Sequence, residues 1–119
     1  MDYARALVEH PKWRWEPGMR YARKTYHYRA PANCEGVLFD ASCVPCLDDP
    51  ATKGWLLHML REATGDQRVH SREALLSPGG RSDEPMGYVA IGGGVDSGIQ
   101  ATEGEALAAA LLAVWGQAA

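Results

Sequence analysis

Near its C-terminal end the chain reads Thr102-Glu103-Gly104-Glu105, and then places Ala106, Leu107, Ala110, Leu111, Val114 and Trp115 at helical spacing. A threonine and a glutamate three residues apart can satisfy the open end of a helix reciprocally: the hydroxyl accepts from the glutamate N–H while the carboxylate reaches back. The six apolar residues then line one side of that helix, with Gly116 placed to close it. A stripe this broad is stable only against another apolar surface, so the rest of the chain must supply one.

Two further helices are legible. Asp48-Asp49-Pro50 is a helix start, because aspartate caps free N–H groups and proline loses no hydrogen bond in the first turn. Leu56, Met59, Leu60 and Ala63 follow at helical spacing, and Gly65 stands where a left-handed cap would end the helix. A short first helix from Asp2 to His10 would bury Ala4, Leu7 and Val8, with Pro11 ending it.

The intervening segments favour strands. Lys12-Trp13-Arg14-Trp15-Glu16 alternates charged with aromatic residues, as an extended segment does. Met19–Arg29 is rich in Tyr, Thr and Arg. As one continuous strand it would place Tyr21, Arg23, Thr25 and His27 on one face. Arg20, Ala22, Lys24, Tyr26 and Tyr28 would occupy the other, a pattern of an edge strand or a long ribbon. Gly36–Asp40, Gln67–Leu76, Met86–Ile91 and Val95–Gln100 are the other candidates, with Gly92-Gly93-Gly94 as a hairpin turn and Ser77–Pro85 as a polar loop. Short loops between strands favour antiparallel pairing. The expectation is an α+β fold, a small mainly antiparallel sheet of four to five strands packed with about three helices, as a single domain over residues 1–119.

Net charge is −3, too small to name a partner. Its distribution says more: seven basic and three acidic residues up to Arg29, then five basic and twelve acidic. No apolar run is long enough to cross a bilayer. Met1–Arg5 carries an acid with no apolar run behind it, unlike a secretory signal. The three cysteines are an odd number for a disulfide framework. Together these point to the cytosol.

Two constellations bear on function. Cys43 and Cys46 form a C-x-x-C pair, with Cys34 and His27 upstream; thiolates and an imidazole are zinc ligands, so zinc is the ion this set would take. No second half-site follows, and buried thiols explain cysteines more often. The other constellation is Trp13, Arg14, Trp15, Arg20, Arg23, Lys24, Tyr26 and Tyr28. Cations interleaved with aromatic faces suit single-stranded nucleic acid or a protein partner; the net acidity favours protein. The acidic Ser82-Asp83-Glu84 is a second partner surface. No catalytic set is recognisable: His10, His27, His58 and His70 are scattered, and the glycine run fits neither a P-loop nor a dinucleotide motif.

Ala6-Leu7-Val8 with Trp13–Met19, Leu47–Gly54 with Leu56-Leu57 and Leu60-Arg61-Glu62-Ala63, and Ala101–Leu107 with its Ala-rich helix resemble small uncharacterised phage and prophage proteins of the ABA sandwich type. The resemblance spans the first 19 residues and most of Leu47–Trp115, and leaves out Arg20–Cys46. It implies phage origin and a small sheet with helices around it, and carries no reaction and no site residues. The resulting expectation is a non-enzymatic accessory protein that binds a host or phage macromolecule, an inhibitor of a host defence system being one such role. A small zinc- or single-stranded-nucleic-acid-binding module is the alternative.

Overall fold

Each helix begins where its cap residue stands. In the computed structural model, which describes residues 2–32, 39, 42–75, 86–92 and 94–117, Asp2 accepts from the Arg5 N–H and starts α1 (Tyr3–Glu9). Asp49 accepts from the Thr52 N–H and starts α2 (Pro50–Thr64), which ends at Gly65 with φ 71°. Thr102 accepts from the Glu105 N–H at 3.1 Å and starts α3 (Glu103–Gln117). The return bond of the expected capping box goes from the Thr102 hydroxyl to Glu105 Oε1 rather than from the backbone N–H. Gly116 does not close α3: the helix runs through it to Gln117.

Among the described residues there are six strands, which form two antiparallel sheets of three rather than one sheet. The first contains β1 (Arg20–Arg23), β2 (Tyr26–Arg29) and β3 (Cys43–Pro45), in the order β2-β1-β3. The second contains β4 (His70–Leu75), β5 (Met86–Gly92) and β6 (Val95–Asp96), in the order β4-β5-β6. The last strand is shorter than expected. Beyond Asp96 the ladder gives way to single contacts with β5: Ser97 exchanges bonds with Ala90 through its N–H and its hydroxyl, and Gln100 bridges Tyr88. The expected strand over Gly36–Asp40 lies outside the described residues except for Phe39.

Met19–Arg29 is not continuous. It folds back at Lys24-Thr25, so that Arg23 pairs with Tyr26, Tyr21 with Tyr28 and Ala22 with His27. Lys24 takes φ 59°, a conformation that tight hairpin turns require and that glycine or asparagine usually provides. Folding back re-sorts the faces: Tyr21, Arg23, Tyr26 and Tyr28 lie on one side, and Arg20, Ala22, His27 and Arg29 on the other.

One core cluster draws on all three helices and on β5. Leu7, Leu56, Met59, Leu60, Ala90, Leu107 and Leu111 are buried in it. The expected stripe of α3 is the one that packs; Ala106, Ala110 and Trp115 are buried and Val114 is partly so. In α2 the stripe stops one turn early, because Ala63 is exposed. Helices α2 and α3 lie side by side and run the same way: Lys53 pairs with Glu103 at their starts, and Met59 approaches Trp115 toward their ends. No helix among the described residues is long and apolar enough to cross a membrane.

Candidate functional site

The β1–β2 hairpin gathers most of the residues that the sequence marks as a surface. Its base is fixed to α2 by a polar hub. Thr52 in the first turn of α2 is fully buried; its hydroxyl accepts from the Arg20 N–H at 3.0 Å and lies within reach of the Arg20 carbonyl and Asp49 Oδ2. Asp49, already capping the helix, receives both terminal nitrogens of Arg29 at 3.0 Å, and Arg29 also donates to the Gly18 carbonyl. The guanidinium holds the Asp49 carboxyl below the ordinary carboxylate range, with the Thr52 N–H acting in the same direction. Bidentate geometry makes this pair directional, so the hairpin is held at a set angle to α2.

Thr52→Val keeps the shape and removes the acceptor of the buried Arg20 N–H. The expected cost is about 1–3 kcal/mol. Urea unfolding of Thr52→Val beside Thr52→Ser checks it: serine should recover most of the loss, and equal stability of valine and wild type would remove the hub from the account.

Above this base an aromatic chain runs through the same region. Trp13 meets Trp15 edge to face at 5.4 Å, Trp15 stacks on Phe39 at 4.5 Å, and Tyr21 stacks on Tyr28 at 5.5 Å. Trp13, Trp15 and Tyr21 pack against the core and are only partly exposed. Their rings brace the hairpin and are not offered for base stacking. The exposed aromatics are Tyr26, at 66 %, and Tyr28, at 46 %.

No protein-family model, curated protein or solved structure matches the chain. The functional reading therefore rests on the hairpin itself. All four residues of β2, Tyr-His-Tyr-Arg, are exposed, and among the described residues β2 is an outer strand of its sheet. In a two-residue hairpin the pair flanking the turn is hydrogen-bonded, so Tyr26 and Tyr28 direct their backbone groups at β1. Those of His27 and Arg29 point outward. The Arg20 carbonyl, opposite Arg29, accepts from Cys46 N on the β3 side, as this register demands. Outward amides on a strand rich in tyrosine form a template for another strand.

The expected zinc set does not gather among the described residues. Cys34 lies outside them. His27 Nδ1 and Cys46 Sγ do approach, at 3.4 Å, in a shallow cleft with Arg20 and Asp49. Cys43 is buried on the opposite face of the sheet. The reason is geometric: residues three apart along an extended strand point to opposite faces, whereas a zinc knuckle needs a tight turn between its cysteines. No three His, Cys, Asp or Glu side chains among the described residues converge to hold an ion. Partial burial pushes the Cys46 thiol above its ordinary pKa, away from the thiolate that binds metals.

The basic side chains divide similarly. Arg14 is paired with Glu16 and Glu62, and Arg29 with Asp49. Lys24 lies in the turn at the tip, between Arg23 and Tyr26. The acidic Ser82–Glu84 surface lies outside the described residues. Sequence reasoning missed Arg29 and Thr52 as the residues that seat the hairpin. The Asp-Pro start of α2 revealed the cap, but not its second partner.

Proposed function

We propose that the chain is a non-enzymatic interaction module and that it binds an extended segment of a partner protein along the outer edge of β2. The carrying observation is the exposed outer strand Tyr26–Arg29, braced from behind by aromatic packing and from below by the Thr52–Asp49–Arg29 hub. Strand addition draws affinity from main-chain hydrogen bonds and specificity from alternate side chains, here Tyr26 and Tyr28 on one face and His27 on the other. From Met19 to Ala30 the chain carries four Arg or Lys residues and no acid, so the matching segment is acidic. Phage or prophage origin and action in the host cytosol complete the proposal, on the resemblance described above.

Single-stranded nucleic acid is the second reading. Two exposed tyrosines beside Lys24 favour it, while the packing of Trp13 and Trp15 against the core removes the longer stacking platform. Affinity isolation from bacterial host lysate separates the two. Wild type should retain one protein stoichiometrically. Tyr26→Ala with Tyr28→Ala should weaken that complex on the order of a hundredfold, with the variant still fully folded at the assay temperature. Arg72→Ala, on the other sheet, should retain it. Retention of the partner by the double variant contradicts the proposal. Salt-sensitive binding of a thymidine oligonucleotide in place of any protein selects the second reading.

A further inference from the structure

The outer edge of β2 also dictates which way an added strand runs and which of its ends is acidic. Resting on the edge reading above, we propose that the partner segment is a short strand antiparallel to β2. It carries an aromatic or β-branched residue opposite Tyr28 and its acidic residues at the C-terminal end, over the hairpin tip.

The chain limits the docking edge at both ends. Outward backbone groups recur at every second residue, so the position after His27 and Arg29 is residue 31. Pro31 has no N–H to offer there. At the other end the chain turns back through Lys24-Thr25. The edge is therefore His27 and Arg29, whose outward main-chain groups have no partner among the described residues.

Direction follows from the same two residues. In an antiparallel partner each exchanges both of its bonds with the one residue opposite, so three consecutive partner residues close them all. A parallel partner bonds on slanted paths to the residues before and after the opposite one, and needs five ordered residues for the same bonds. Fewer residues to order at equal bonding favours the antiparallel strand. On that course the residue opposite Tyr28 forms the closer, non-hydrogen-bonded kind of pair, because Tyr28 directs its own backbone groups at Tyr21. The exposed Tyr28 ring, held by its stack on Tyr21, is then a cross-strand neighbour for an aromatic or β-branched side chain.

Charge sets the polarity. At the base of β2 the charges cancel: Arg29 is forked onto Asp49, and Arg20 shares a cleft with Asp48 and Asp49. At the tip Lys24 is exposed and has no ion-pair partner among the described residues. Because β2 runs away from the turn, an antiparallel strand brings its C-terminal end to that tip. Carboxylates there gain a cation, and carboxylates at the other end gain none.

Two acetylated hexapeptide amides of identical composition test the polarity: Thr-Tyr-Thr-Val-Glu-Glu and its reverse, Glu-Glu-Val-Thr-Tyr-Thr. Each is titrated into the whole chain to millimolar concentration and followed by NMR. The first should shift the His27 and Arg29 amides and show an Hα–Hα contact between its tyrosine and Tyr28. It should bind about threefold more tightly than the reverse, as one exposed ion pair allows. Lys24→Asn removes the charge and keeps a residue that tolerates the positive φ, so it should bring the two peptides to equal affinity. Equal affinity for the wild type, tighter binding of the reverse, or a preference that survives Lys24→Asn would each overturn the polarity while leaving strand addition in place. Shifts at neither amide with either peptide would remove the edge reading itself.

Discussion

Gly104→Ala is expected to destabilise the fold by about 2–3 kcal/mol, although the residue sits in the first turn of a helix, where alanine is ordinarily preferred. The chain before α2 lies directly on α3 at this point. A Cβ on Gly104 would overlap the Leu47 carbonyl oxygen, stand 2.5 Å from the carbonyl carbon and stand 2.8 Å from the Leu47 Cβ. Its main obstacles are backbone atoms, which cannot swing aside as a side chain can. Overpacking costs about 1–3 kcal/mol, occasionally more; helix propensity returns at most about 1 kcal/mol. Gly54 is the internal comparison. It lies inside α2 with nothing within 4 Å of an added Cβ, so Gly54→Ala should stabilise by up to about 1 kcal/mol. Thermal unfolding should separate the two variants by about 10 °C. Similar melting temperatures would mean that the Leu47 turn is not seated on α3.

Gly92→Ala is expected to be as damaging, for two reasons that add. The residue takes φ 117°, which side-chain-bearing residues rarely adopt, at a cost of about 1–3 kcal/mol. An added Cβ would also stand 2.9 Å from the Cα of the buried Val69 and 3.2 Å from its nitrogen. The sum is about 2–4 kcal/mol. Gly94 separates the two contributions. It has φ 82° but nothing within 4 Å, so Gly94→Ala should show the backbone strain alone. Denaturant midpoints should place Gly92→Ala clearly below Gly94→Ala. Coincident midpoints would show that the approach of Val69 contributes nothing.

Both glycines show what the sequence could and could not reveal. Gly92 was legible as part of a glycine run between two apolar strands, although it ends β5 and pairs with Val95 rather than lying in the turn. Gly104 was not, because its role is set by Leu47, 57 positions away in the chain. The helices were legible for local reasons. Caps, prolines and apolar spacing are properties of neighbouring residues, and Asp2, Asp49 and Thr102 each bond within their own first turn. Gly116 misled as a helix end: α3 runs on through it to Gln117.

The hairpin was hidden for a different reason. Lys24-Thr25 lacks the Asn-Gly or Gly signature of a two-residue turn, so the alternation across Met19–Arg29 pointed to a single strand. That one reversal exchanges the partners of Tyr21 and Arg23, from Thr25 and His27 to Tyr26 and Tyr28. It also brings His27 beside Cys46. The cysteine spacing was ambiguous by itself. C-x-x-C has one meaning across a tight turn and another along β3, and only the pairing of Arg23 with Cys43 and Tyr21 with Pro45 decides between them. The basic-aromatic character of the region was plain. Which aromatics face outward was not, since Trp13 and Trp15 differ from Tyr26 only in what long-range contacts they meet.

Strand addition makes its sharpest demand on two backbone groups. Amide hydrogen exchange at His27 and Arg29, measured in the protein alone and again with its captured partner, tests the account most directly. In the protein alone these two amides should exchange faster than those of Tyr26 and Tyr28, which donate to β1. With the partner bound, both should slow by at least about tenfold while the amides of β5 stay as they were. Fast exchange at His27 and Arg29 in a saturated complex would contradict strand addition and move the working surface away from the edge of β2.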